Sequence, residues 1–210
     1  MSEIAKIVAK KLLEINAIKL NIKSPFTWAS GWKSPIYCDN RLSLSYPEVR
    51  SYIKNQLAKS ISTNFENVEA IVGVATAGIP QGALVADVLN IPFIYVRSKP
   101  KGHGMENMIE GKITPGQKVV VVEDLVSTGG SSLKAVEALI QSEFSVLGMV
   151  SIFTYGFAVA EENFAKANVK LISLSDYNEL IDEALKLNYV TLSQISNLKK
   201  WRESPSTWGN

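Results

Sequence analysis

The sequence predicts an α/β fold with a mostly parallel central sheet flanked by helices, and three observations predict it. Apolar runs rich in Val and Ile recur at residues 70–74, 92–96, 118–122, 145–153 and 169–174. They carry no polar alternation, as expected of strands covered on both faces. Between most of them lie helical patterns, such as 82–89 and 131–140, and strand alternating with helix is the signature of parallel βαβ units. The chain has 210 residues, 46% hydrophobic and 20% charged, enough to bury one sizeable core.

The elements follow in order. Over residues 3–18, Ile4, Ile7, Val8, Leu12, Ile15 and Ile18 recur at helical spacing. Residues 21–45 are rich in Ser, Pro, Gly and aromatics and show no period. Pro47 suits the first turn of a helix reaching about residue 61, with Val49, Tyr52, Ile53 and Leu57 inside. The strand–helix alternation then runs to residue 174, with one interruption. Residues 98–117 hold four glycines and no apolar period, and so long a connection in a compact domain tends to be a functional loop. Asp176 with Glu179 and Thr191 with Gln194 are capping patterns that open two C-terminal helices. No internal repeat is visible. The expected organisation is a single domain over 1–210, with residues 1–45 as an N-terminal helix and lid and 46–210 as the α/β core carrying a flexible loop at 98–116.

Composition excludes several functions. A formal net charge of +2 offers no general attraction to nucleic acid or an anionic membrane, so anion binding must come from local clusters. Cys38 is the sole cysteine, which excludes an internal disulfide and fits a reducing compartment. Without a clear base partner it reads as a small buried hydrophobe rather than a nucleophile. The N-terminus lacks the charged-then-apolar pattern of a secretory signal, and no apolar run is long enough to span a bilayer. A cytoplasmic protein is expected.

The most informative stretch runs from Val119 through Val122 to Glu123-Asp124-Leu125-Val126-Ser127-Thr128-Gly129-Gly130-Ser131. Four valines predict a central strand, with two acids where it ends and a glycine turn feeding a helix. Ligands of open α/β sheets bind at the carboxyl ends of strands. A glycine turn with the helix N-terminus offers N–H groups and a positive dipole end to a phosphate, and Ser127, Thr128 and Ser131 add hydroxyls. Two carboxylates beside a phosphate site make sense if they bind ribose hydroxyls, hold Mg²⁺ or soften positive charge on a sugar. The turn is neither a Walker loop nor a dinucleotide fingerprint, since both required spacings are absent.

This stretch resembles the phosphoribosyl pyrophosphate (PRPP) motif of the type I phosphoribosyltransferases. The resemblance implies that fold, with Glu123 and Asp124 on the ribose and Ser127, Thr128, Gly129, Gly130 and Ser131 on the 5′-phosphate, linked by Leu125 and Val126. Three further segments narrow it to the orotate phosphoribosyltransferase family. Arg97-Ser98-Lys99-Pro100-Lys101-Gly102-His103-Gly104 is similar to that family's mobile catalytic loop, which closes over the partner's site in a homodimer. It implies PRPP contacts for Arg97, Lys101 and His103, with Lys101, His103 and Asp124 catalytic. His103 has no second His or Cys at metal-ligand spacing, and no protein-only metal site is expected.

Phe26-Thr27-Trp28-Ala29-Ser30-Gly31-Trp32-Lys33-Ser34-Pro35-Ile36-Tyr37 is dense in stacking surface and donors. It resembles the family's hood over the base, especially the Gram-positive-type variant, and implies Ser127, Lys33 and Tyr37 as orotate contacts. Gly73-Val74-Ala75-Thr76-Ala77-Gly78 resembles its pyrophosphate loop, at Thr76, Ala77 and Gly78. The chain departs from the family at Ser98, Ala29 and Ala77, where other members carry Lys. It departs again at Phe153-Thr154-Tyr155-Gly156, where many carry the Arg for the orotate carboxylate. Lys33 or Arg41 is the expected substitute for that role.

The resemblance implies transfer of ribose 5-phosphate from PRPP to orotate in UMP synthesis, with Mg²⁺ arriving on PRPP near Asp124, no nucleic acid and no membrane. A purine or xanthine phosphoribosyltransferase would share the turn and differ in the hood. A PRPP-sensing, nucleic-acid-binding regulator would need a basic face or an added domain.

Overall fold

The computed structural model describes residues 3–28, 30–99 and 108–208. In chain order it comprises α1 (Glu3–Glu14), β1 (Ile18–Leu20), β2 (Phe26–Thr27), β3 (Lys33–Ser34), β4 (Ile36–Cys38), a 3-10 segment (Asn40–Ser45), α2 (Pro47–Asn64) and β5 (Ala70–Val74). There follow α3 (Gly78–Leu89), β6 (Phe93–Val96), β7 (Ile109–Glu110), β8 (Lys118–Val126), α4 (Gly130–Gln141), β9 (Ser145–Thr154), α5 (Ala158–Lys166), β10 (Leu171–Asp176), α6 (Tyr177–Lys186) and α7 (Leu192–Glu203). The chain divides into two compact units, one of Ser51–Leu174 and one joining the segment up to Arg50 to that from Ser175.

The larger unit carries the sheet, in the order β10-β9-β8-β5-β6-β7. β6, β5, β8 and β9 are parallel and β7 is antiparallel to β6. The valine run explains why β8 lies inside. Val119, Val120, Val121 and Val122 are all fully buried, each worth about 1.5–3 kcal/mol on leaving water. Val119 and Val121 join the cluster made with Ala135, Val136 and Leu139 of α4 and Phe164 of α5; the intervening valines point to the opposite face.

Several boundaries differ from the sequence expectation. α1 stops at Glu14 because Asn16 takes a left-handed conformation (φ 57°), a usual helix stop, leaving Ile18 to open β1. β8 continues four residues past Val122, because Glu123, Leu125 and Val126 pair with Ser151, Phe153 and Thr154 of the long β9. The acids therefore sit among the strand's last residues, not after it. Within 98–116, Ile109 and Glu110 pair with Val96 and Tyr95, a two-residue strand too short to show a period. Residues 100–107, with Lys101 and His103, lie outside the described residues.

In the smaller unit α1 packs on α6, and Ser175 Oγ donates to the Ala5 carbonyl at 2.8 Å. β1 pairs with β4 and β2 with β3, both antiparallel. The C-terminal residues, expected within the α/β core, pack here instead. The reason is Trp201 on α7, fully buried. Its ring meets Trp28 edge-on at 5.6 Å and Tyr177 at 5.5 Å, and its Nε1 donates to the Lys33 carbonyl at 3.2 Å. Asp176 caps α6 through Asn178 and Glu179 N–H. At α7 the Thr191 N–H donates to Gln194 Oε1 at 2.8 Å.

One glycine fixes how α3 meets the sheet. A Cβ on Gly78 would lie 2.5 Å from the Val122 carbonyl oxygen, a backbone atom that cannot step aside. Gly78→Ala should therefore destabilise the protein by about 3 kcal/mol, the upper range of overpacking, as read from the denaturation midpoint.

Candidate active site at the switch point of the sheet

From β5 the chain passes through α3 to β6 on one side, whereas β8 lies on the other side of β5. Strand order reverses between β5 and β8, and in such sheets the reversal opens a crevice at the strands' carboxyl ends. β5 pairs with β8 only as far as Gly73 with Val122. Past that register β8 runs on beside β9 alone, and the space left on the β5 side is a cleft of about 330 Å³. Ala75, Thr76 and Ala77 line it from the turn between β5 and α3; Glu123, Asp124, Leu125, Ser127, Thr128, Gly129, Ser131 and Ser132 line it from β8, the turn after it and α4.

The turn between β8 and α4 has the geometry of an anion site. Gly129 takes a left-handed conformation (φ 81°), which a side chain rarely adopts. A Cβ there would also meet Phe164 Cε2 at 2.8 Å. α4 starts at Gly130 without a side-chain cap, so its first-turn N–H groups retain no intrahelical partner and suit an anion. Thr154 Oγ1 and the Tyr155 N–H both donate to the Val126 carbonyl, at 3.2 and 3.1 Å. These bonds hold the end of β8. Phe153-Thr154-Tyr155-Gly156, without its Arg, is thus part of the scaffold, and Tyr155 is buried.

The two acids have different surroundings. Glu123 is only 5% exposed; its Oε1 accepts from the Asp124 N–H at 3.0 Å and its Oε2 from Ser132 Oγ at 3.1 Å. Burial, and after it the Asp124 carboxylate, push the Glu123 carboxyl well above the ordinary glutamate range, against the opposing pull of those two donors. Since folding raises this pKa, the folded state binds the proton more tightly than the unfolded chain. The associated stability is complete below the ordinary glutamate pKa and is lost as pH rises toward the folded value. Glu123→Gln should therefore flatten the decline in Tm as pH rises above the ordinary glutamate range. Unchanged pH dependence in thermal scans would refute the assignment.

Other expected residues lie elsewhere. Val126 is fully buried in the core and Gly78 is buried at the start of α3, so neither lines the cleft. Arg97, Ser98 and Gly130 line a second hollow of about 380 Å³ with Ser131 and Lys134. There Arg97 Nη1 lies 3.2 Å from Glu110 Oε1, a pairing that only the β6–β7 register reveals. In the smaller unit, Lys33 Nζ donates to Thr27 Oγ1 at 2.9 Å. Tyr37 stacks obliquely on Phe26 at 5.6 Å and stays exposed. Arg41 makes a two-point ion pair with Asp39, at 2.6 and 2.9 Å. That pairing first, and its charge as well, hold the Asp39 carboxyl below the usual range. Cys38 Sγ donates to Asn40 Oδ1 at 3.3 Å. Sequence reasoning missed Ser132, Lys134, Asn163 and Trp201. Ser132 and Lys134 continue the turn into α4 and were within reach of its pattern; the other two carry no local signal.

Among the described residues no group of three or more His, Cys, Asp or Glu could hold a metal, and no helix is long and apolar enough to cross a membrane. The phosphoribosyl transferase domain family matches residues 44–186. The orotate phosphoribosyltransferase of Porphyromonas gingivalis is 58% identical over 209 residues, covering 100% of both chains. That of Listeria innocua is 55% identical, covering 98% of this chain and 99% of its own. Among solved structures, orotate phosphoribosyltransferase from Aeropyrum pernix matches with a TM-score of 0.75 at 31% identity, over 88% of this chain and 99% of its own. With the cleft at the strand reversal, the acid pair and glycine turn that line it, and this end-to-end similarity, the chain belongs to the orotate phosphoribosyltransferases, enzymes built on the phosphoribosyl transferase domain.

Proposed function

We propose that this enzyme transfers ribose 5-phosphate from PRPP to orotate, giving orotidine 5′-monophosphate and pyrophosphate in UMP synthesis. The observation that carries the reading is the cleft at the switch point, where an acid pair and an uncapped helix start face the same space. In this reading Ser127 to Ser131 hold the 5′-phosphate by N–H and hydroxyl groups, and Glu123 and Asp124 hold the ribose hydroxyls. Thr76 and Ala77, at the start of α3, offer backbone to pyrophosphate.

The ring nitrogen of orotate bonds to C1 as the C1–O bond to pyrophosphate breaks, the electron pair leaving with pyrophosphate and the ring proton leaving to solvent. Positive charge on the sugar is softened by Asp124. Arg97, Lys101 and His103 take the charge that develops on pyrophosphate. Arg97 must then exchange or share its Glu110 partner.

Mg²⁺ fits as a companion of PRPP rather than as a resident ion. The cleft offers Asp124 as an oxygen donor while both Glu123 oxygens already accept hydrogen bonds, and Mg²⁺ is commonly held by one or two carboxylates plus substrate oxygens. Bound there, it would neutralise pyrophosphate charge. Lys33 and Tyr37 are proposed orotate ligands, on the resemblance of their segment to the family's hood. A cytoplasmic homodimer sharing the 98–116 loop completes the proposal, which rests there on the resemblance of that segment.

The test is loss of orotate absorbance on mixing the enzyme with PRPP and Mg²⁺, beside parallel reactions with adenine, hypoxanthine and xanthine. Orotate consumption requiring both PRPP and Mg²⁺ is the expected result. Turnover of a purine alone would overturn the choice of base, and turnover of none would overturn the reaction.

A further inference from the structure

α5 carries no motif and lines neither hollow, yet two consecutive residues of it touch the turn between β8 and α4. Asn163 Nδ2 donates to the Thr128 carbonyl at 3.1 Å, across 35 residues of sequence. Phe164, buried, lies under Gly129, with Cε2 at 2.8 Å from where a Cβ would stand. One contact is polar and the other steric, and they fall on adjacent residues of the turn.

A turn that binds an anion through its N–H groups must direct its carbonyls away from the ligand. A carbonyl oxygen swung inward would repel a phosphate dianion. The Thr128 carbonyl is the one that can swing, because Gly129 beside it has the rotational freedom of glycine. We infer that Asn163 is a positioning residue for the 5′-phosphate. Its amide anchors the Thr128 carbonyl outside the cleft, and the Phe164 ring restricts the turn to its left-handed setting at Gly129. α5 thereby preorganises the donors before the ligand arrives, so that ordering is not charged against binding. The inference rests on the reading of the turn as the phosphate site.

Two variants test it, each checked for folding by thermal melting. Asn163→Ala removes the anchor, and Asn163→Asp keeps the shape but replaces the donor with a charge that repels the carbonyl. The expected result is a PRPP KM raised roughly tenfold in Asn163→Ala, the scale of one lost hydrogen bond, and more in Asn163→Asp. The orotate KM should stay within about twofold, a split that general loosening of the fold would not produce. Calorimetric titration with PRPP alone should show the same loss of affinity. A folded Asn163→Ala with wild-type PRPP affinity would overturn the inference. If the wild type bound PRPP but did not consume orotate, the proposed reaction would fail while the titration still decided the role of Asn163. If the wild type bound no PRPP at all, both would fall.

Discussion

Asp124→Asn is expected to lower kcat/KM for PRPP by about 10²–10³-fold, the usual cost of removing a group aimed at charge that develops in the transition state. The substitution keeps volume and hydrogen-bonding capacity, so the loss would isolate charge. Both acids line the cleft, but both Glu123 oxygens also accept hydrogen bonds from protein donors. In the proposed reaction the carboxylate that meets charge on the sugar is therefore Asp124. Removing it also relieves the repulsion that raises the Glu123 carboxyl, so Tm should hold or increase. Steady-state kinetics with a parallel melt decide the matter. Equal losses of kcat and kcat/KM at unchanged Tm would place the effect in the transition state, and wild-type kinetics would remove Asp124 from the chemistry.

Lys101→Ala should cost turnover on a similar scale, about 10²–10³-fold in kcat, as for loss of a cation that meets the leaving group. Lys101 lies outside the described residues, and its proposed role rests on the resemblance of Arg97-x-x-x-Lys101-x-His103-Gly104 to the family's catalytic loop. The described surroundings add a reason to expect a large effect. Arg97 is paired with Glu110, and Ser98 and Ala77 stand where other family members carry Lys, so few cations remain for pyrophosphate. The effect on the fold should be modest, which a parallel thermal melt would check. Mixing experiments would sharpen the result. Combining Lys101→Ala subunits with Asp124→Asn subunits should restore activity at a fraction of sites if the loop of one subunit serves its partner. Purely additive inactivation would exclude sharing.

How much of this was legible in the chain depends on the range of the interactions. The valine run of β8 and the glycine turn after it are local, each written in a dozen residues, and the sheet, the crevice and the acid pair followed from them. Asn16 ending α1 was equally local but easily hidden behind an apolar period that continues past it. The extension of β8 to Val126 was not local. It depends on Thr154 and Phe153 being present across the ladder, 28 residues away. The two-residue β7 was below the length at which periodicity means anything, so Arg97 read as an available cation when it faces Glu110.

The sequence by itself determined the class of fold and the kind of chemistry, because burial periodicity selects strands and helices, and because a phosphate demands N–H donors on a permissive turn. It also determined the family, through four motifs spread from Phe26 to Ser131. Only the tertiary structure decided which partners those residues keep. It bonded Glu123 to Ser132 at the cleft, committed Arg41 to Asp39, set Trp201 against Trp28, and brought Asn163 to the turn between β8 and α4. These contacts join residues 2 to 173 positions apart. Such pairs are selected by packing and by the cost of leaving a buried polar group unpaired, quantities that exist only once the chain has closed on itself.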